Sequence, residues 1–296
     1  MLFTVAMTAM VVVSLHGLLW DHRMLDGVPI WLKPFKFAVS FAVYGYTLAW
    51  ILTMQRRARR AGWVVGTVIA VSGSLEMALI MVQVWRGQAS HFNISTSLNA
   101  MIFNIMGAMA GAVFLATFVL AALVSFERTE DRVRRWSVRF GLLSSLVGMG
   151  LATLMLVNVS PAELAAMHAG TPTMLGGHSV GVPDGGPAMA ITGWSLTGGD
   201  LRIPHFVGLH GLQALPLLGL LLTALGDRFP ALRDERVRIR LLVVGAVGYA
   251  WLIGLVLWQA LRGQSIAHPD WRTLAMFGLL VAVVGVSATV VVRARR

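Results

Sequence analysis

Apolar residues along this chain come in long, nearly unbroken runs, not at the period-two alternation of strands or in the narrow stripes of soluble amphipathic helices. A helix needs roughly 20 apolar residues to cross a hydrocarbon layer of ~30 Å. Runs of that kind lie at about 3–20, 35–54, 63–84, 97–125, 140–159, 204–225, 241–261 and 273–292, which predicts eight transmembrane helices in an all-α, polytopic membrane bundle. The first run opens Met1-Leu2-Phe3-Thr4, with no basic n-region and no small-residue cleavage pattern, so it is expected to stay as a span.

The polar punctuation repeats. Gln83-Val84-Trp85-Arg86-Gly87-Gln88, with His91 beyond it, closes the third run, and Gln259-Ala260-Leu261-Arg262-Gly263-Gln264, with His268 beyond it, closes the seventh. The second run opens with Lys33-Pro34-Phe35-Lys36-Phe37 and the sixth with Arg202-Ile203-Pro204-His205-Phe206, each proline sitting where a first-turn N–H has no partner anyway. Ser97-Leu98-Asn99 and Thr273-Leu274-Ala275 open the fourth and eighth. Three landmarks in the same order predict two related halves, 1–139 and 140–296, each of four helices. Four spans return the chain to its starting side, so the halves should run parallel.

Composition changes the picture only by fixing the solvent. The chain is 57% hydrophobic and 12% charged, with a mean hydropathy of +0.74, which describes a protein embedded in lipid. Its net charge of +11 is concentrated in a few turns: Arg56, Arg57, Arg59 and Arg60; Arg128, Arg132, Arg134, Arg135 and Arg139; Arg228, Arg233, Arg236, Arg238 and Arg240; and Arg293, Arg295 and Arg296. By the positive-inside rule these turns and both termini are expected to be cytoplasmic, and the expected location is a bacterial plasma membrane. No separate basic domain exists for nucleic acid to bind. With no cysteine, disulfides, thiolate metal sites and cysteine nucleophiles are all excluded.

Under this topology all eight histidines fall in the outer half of the bilayer or outside it, among Arg86, Arg262, Gln88 and Gln264. His210 and Gln213 share a helix face, whereas His205 lies about 140° round the helix from His210. His16 and His210 sit at matched depth on separate helices, the arrangement that axial ligation of a b-type haem requires. Arg86 and Arg262 would then meet the propionates, with Gln88, Gln264, His91, His205 and His268 around the same mouth. Two buried histidines bonded to carbonyls or water are the plainer alternative.

Within the spans, Lys36, Ser40, Tyr44 and Thr47 form one polar stripe on the second helix, and Ser72, Glu76 and Gln83 answer on the third. Glu76 is the one acid well inside a span, and such a group costs a few kcal/mol unless paired or wetted. Lys36 is its expected partner. The equivalent position in the second half is Leu252, so the acid belongs to the first half alone. Gly107 and Gly111 make a G-x-x-x-G pattern, read as packing within the bundle, with a homodimer face as the lesser reading.

The segment 160–203 is the one long loop, rich in glycine and proline, and is expected to cap the polar mouth. Its Met167, His168, Met174, His178 and Met189 are soft-metal donors, but their spacing fits no fixed motif. The eight-span, four-plus-four arrangement with outer histidines resembles the architecture of haem A synthases. The paired intramembrane histidines of that family are not visible here, so the resemblance implies arrangement and not activity.

Three functions follow as expectations. The first is a cofactor-binding redox protein with a site in the outer half. A transporter using Lys36, Glu76, Arg86 and Arg262 is the second. A membrane hydrolase, with Ser40 near His91 or His210, is the third.

Overall fold

In the computed structural model, which describes residues 1–55, 58–127 and 131–294, eight helices are long and apolar enough to cross a membrane. They are α1 (Leu2–Trp20), α2 (Leu32–Thr53), α3 (Arg59–Arg86), α4 (Ser97–Phe126), α5 (Arg132–Leu151) continued by α6 (Thr153–Val157), α8 (Arg202–Ala224), α9 (Glu235–Leu261) and α10 (Trp271–Arg293). The protein is an all-α, multi-pass membrane bundle. Side chains in the polar turns cap several of these helices. The Thr96 side chain accepts from Asn99 N, and Asp131 and Asp270 do the same for α5 and α10. A boundary at 139/140 would cut α5, since the Asp131 cap starts the helix before the arginine-rich turn is passed.

Consecutive spans alternate in direction, so the bundle has a loop end, which carries the segment 158–201, and an arginine end. The buried positions on α3 (Val65, Ile69, Ser72, Gly73, Glu76, Ile80, Gln83) recur at helical spacing, and this face meets α2 and α4. Toward the arginine end, Leu48, Ile51, Val65, Ile69, Leu120, Val124, Val138, Leu142 and Leu212 from five helices form one apolar core. Large apolar side chains on the outside, such as Val68, Leu115, Phe118 and Val247, face the lipid.

The tightest helix crossing is α5 on α8. Gly148 and Gly208 lie backbone to backbone, so a Cβ on either would collide with the other helix, and Ser144 Oγ donates to Gly208 O at 3.0 Å. By contrast, Gly107 and Gly111 have nothing within 4 Å of an added Cβ. The expected packing role of that pair is therefore corrected: the close approach is made by Gly141, Ser144 and Gly148 against Gly208 and Gly211.

The loop is ordered. It contains α7 (Pro161–His168) and a short hairpin of β3 (Ser179–Val180) with β4 (Gly199–Asp200), while β1 (Met24–Leu25) and β2 (Val28–Pro29) form a second hairpin before α2. Ile94 N donates to Thr173 O and Leu175 N to Phe92 O, so the loop pairs with the chain between α3 and α4. Ser265 Oγ donates to Ser195 O at 2.9 Å, which ties it to the α9–α10 corner. Gly185 abuts Gly27 in the β1–β2 turn. The loop thus covers the bundle end from three sides.

Candidate functional site

The two Q-x-x-R-G-Q stretches are helix corners with matching geometry. Gly87 and Gly263 both sit at φ +68°, the left-handed conformation that glycine adopts without strain and that closes a helix. Gln88 N donates to Gln83 O at 2.9 Å and Gln264 N to Gln259 O at 3.2 Å. The side chains correspond as well: Gln83 Nε2 donates to Ala89 O at 3.1 Å, and Gln259 Nε2 to Ser265 O at 3.0 Å. Across each corner, Gln88 Oε1 accepts from Asn99 at 3.4 Å and Gln264 Oε1 from Thr273 at 2.6 Å. Arg86 donates to Gln83 Oε1 and Asn99 Oδ1, while Arg262 pairs with Asp270 and lies over the Trp258 ring. In this structure these polar groups staple adjacent helices together.

The histidines separate into two sets. His16 is exposed and stacks on Trp20 at 4.2 Å; His268 is exposed beside the α9–α10 corner. His210 Nδ1 meets Gln213 Oε1 at 3.2 Å, and Gln213 Nε2 donates to Thr47 Oγ1 at 3.1 Å. His16 and His210 are thus each engaged by a residue of their own helix, Trp20 on α1 and Gln213 on α8. Among the described residues no group of three or more His, Asp or Glu side chains is arranged to hold a metal ion.

His91, His178 and His205 gather under the loop. His91 Nδ1 meets Ser90 Oγ at 3.1 Å, and its Nε2 lies 3.7 Å from Glu76 Oε1. Phe37 and Phe92 flank its ring at 5.5 and 6.2 Å between centroids. Phe92 holds φ +61°, an unusual conformation for a bulky residue, which turns its neighbour His91 inward while Phe92 O stays paired with Leu175 N. Its ring then packs on Phe103 and on His178. His205 Nδ1 is bound to Gly148 O at 2.7 Å, where the tight α5–α8 crossing brings that carbonyl within reach.

Electrostatics follow from this enclosure. Burial, reinforced by Lys33, His178 and His205 nearby, holds His91 well below its ordinary 6.5, so its imidazole is neutral at physiological pH. Burial also lowers His178, against the opposing hydrogen bond from its Nδ1 to Asp184 Oδ2 at 3.1 Å. Burial would raise the Asp184 carboxyl, but its bonds from His178 and Ser179 outweigh that and keep it well below the usual carboxylate range.

The expected Lys36 to Glu76 pair is corrected. Lys36 Nζ donates to Thr192 O at 2.6 Å, so the loop has taken the lysine. Glu76 is 6% exposed, makes no hydrogen bond among the described residues, and has the neutral His91 as its nearest charged-capable group. The cation within its electrostatic reach is Lys33, one turn nearer the loop, which makes neither a hydrogen bond nor an ion pair among the described residues. Arg202, also close, is matched by Asp200 through two bonds of 2.9 and 2.6 Å, and donates to Gly193 O.

Sequence reasoning missed Lys33, Ser90 and the His178–Asp184 pair. Lys33 carried a signal, being three residues from Lys36 and so on the same face. The His178–Asp184 contact joins two residues of an irregular loop, where no periodicity exists to find it. Compared with protein-family models, curated proteins and solved structures, the chain matches none. The likeness to haem A synthases rests on span number and histidine placement alone.

Proposed function

We propose that the protein is a proton-linked carrier of a small molecule, with its working site beneath the loop and Glu76 as the proton-bearing group. The observation that supports this is the state of Glu76 itself. A carboxyl inside a membrane helix with a permanent counter-ion is structural; one left with a neutral imidazole at 3.7 Å can gain or lose a proton without breaking a fixed pair. A polar rail leads on from the site along α2. Tyr44 OH shares a 2.6 Å hydrogen bond with Thr117 Oγ1, and Thr47 meets Gln213. The rail ends on the apolar core at the arginine end, as expected of a carrier closed on that side.

The site histidines give the cofactor reading less support, because His16 and His210 are engaged separately. The hydrolase reading gains one observation: Ser90, His91 and Glu76 form a chain in which the imidazole touches the serine hydroxyl, while Ser40 makes no hydrogen bond among the described residues.

Absence of native cysteine provides the test, since single cysteines need no background removal. In oriented vesicles, a membrane-impermeant maleimide should reach Ser40→Cys from both sides in a ratio that changes with pH, and Glu76→Gln should abolish that change. Labelling from one side alone at every pH overturns the carrier reading. A Soret band in the purified protein would restore the haem reading. Serine-directed fluorophosphonate labelling, lost in Ser90→Ala, would favour the hydrolase.

The finer architecture belongs to the same proposal. The matched corners support two parallel halves related by duplication, with α1 to α4 corresponding to α5, α8, α9 and α10. Among the described residues Arg59, Arg60, Arg132, Arg134, Arg135, Arg139, Arg228, Arg233, Arg236, Arg238, Arg240 and Arg293 lie at one end, which supports a cytoplasmic assignment for it and for both termini. Arg56, Arg57, Arg128, Arg295 and Arg296, counted with them from sequence, lie outside the described residues.

A further inference from the structure

We propose that the ligand is a monoanionic carboxylate with an apolar body, held by Lys33 and Lys36; this rests on the reading of the Glu76 cluster as the working site. The two lysines lie one turn apart on the same face of α2, so their ammonium groups can engage the two oxygens of one carboxylate. Lys33 has no direct partner among the described residues. Lys36 has only the neutral carbonyl of Thr192, which stands where a ligand oxygen would.

Charge sets the valence. The groups facing Lys33 are Lys36 on its own helix, Glu76 on α3, His91 before α4, His178 in the loop, Arg202 on α8 and Asp26 in the β1–β2 turn. Arg202 is neutralised by Asp200, both imidazoles are neutral, and Asp26 is exposed and screened by water. With Glu76 ionised, two lysines leave a single positive charge among the groups facing Lys33, which a monoanion completes and a dianion would exceed.

The walls set the rest of the ligand. Phe37, Phe92 and Phe103 form a continuous aromatic surface through His91, with centroid separations of 5.5 to 6.2 Å. Such a surface favours an apolar body over a sugar or a free phosphate. Entry requires the turn at Met189 to Gly193 to leave, because Thr192 O holds Lys36 and Gly193 O holds Arg202. That turn is closed by Gly193 N to Met189 O and Met189 N to Trp194 O, both 2.8 Å, so it can move as a unit.

The test uses the purified full chain in detergent, with thermal unfolding as readout and hexanoate and benzoate as probes. Their neutral counterparts, hexanamide and benzamide, are the controls. A ligand that binds the folded state alone raises the unfolding temperature in a saturable way. Both carboxylates should do so and the amides should not. Lys33→Gln and Lys36→Gln should each raise the half-saturating concentration at least about tenfold, and Lys33→Arg should restore it. Equal stabilisation by the amides, no saturable shift with either carboxylate, or an unchanged midpoint in Lys33→Gln overturns the proposal. Should the lysine variants fail to fold, the carboxylate-to-amide comparison in the unaltered chain decides it. The maleimide experiment uses no ligand, so the two ideas fail separately. Accessibility that switches with pH while carboxylates do not bind leaves the carrier without this ligand class. Binding without switching leaves a fixed anion site and no carrier.

Discussion

Glu76 and His91 hold the residue-scale argument, because their chemistry depends on a distance and not on residue type. At 3.7 Å the pair is close enough for a proton to pass after a small movement, and too long to be a fixed hydrogen bond. Glu76→Gln should keep the fold, since no ion pair is lost, and Glu76→Asp should retain part of the pH response; circular dichroism with the maleimide assay checks both. His91 makes a separate, signed prediction. Its folded-state value lies below 6.5, so the unfolded chain binds more protons between the two values and stability rises with pH there. Stability contributed by the neutral imidazole should be complete above about 6.5 and fall as pH drops below it. In His91→Gln the unfolding temperature should lose that part of its acid dependence. Sequence spacing was enough to single out Glu76, because an acid inside an apolar run stands out. Its neighbours were not legible, since Lys36 was claimed by a loop carbonyl 156 residues away and backbone carbonyls leave no mark in a sequence.

Elements were the most legible scale, and their contacts the least. Runs of apolar residues predicted all eight spans, with starts displaced where Asp131 and Asp270 cap α5 and α10 in polar turns. Pairing was harder. A G-x-x-x-G pattern marks a helix surface that allows close approach without saying which helix uses it, and here Gly107 and Gly111 face open space while Gly148 meets Gly208. The variants Gly148→Leu and Gly107→Leu therefore separate the two readings. Gly148→Leu should prevent folding of the α5–α8 pair, seen as loss of monodisperse protein on size exclusion, and Gly107→Leu should leave the folded chain unchanged. The corners give a smaller effect. Gly87→Ala meets no atom within 4 Å, so only the left-handed backbone resists it, at about 1–2 kcal/mol. Gly263→Ala adds an approach of 3.3 Å to Val180 O and should cost more, measurable as the larger drop in unfolding temperature.

At the scale of the whole molecule, the matched corners and the asymmetry around them have to be explained together. The corners share their glycine conformation and their glutamine bonds, yet the repeat proposed would set Leu252 against Glu76, and Arg202 and His205 against Lys33 and Lys36. Arg202 is neutralised by Asp200 and braces the loop through Gly193 O, whereas Lys33 makes no ion pair among the described residues. The proposed carrier takes the loop end as the outer one, since the positive-inside rule would hold the arginine turns inside. A reporter fused after Arg293, or inserted beside Arg132, should read as cytoplasmic, and one inserted at Gly185 as extracytoplasmic. Gly185 lies at a tight turn against Gly27, so an insertion two residues further on, at Pro187, is the control for damage to the fold. If both loop insertions report cytoplasmic in a protein that stays folded, the site opens to the cell interior, and the carboxylate would be captured there and released outside.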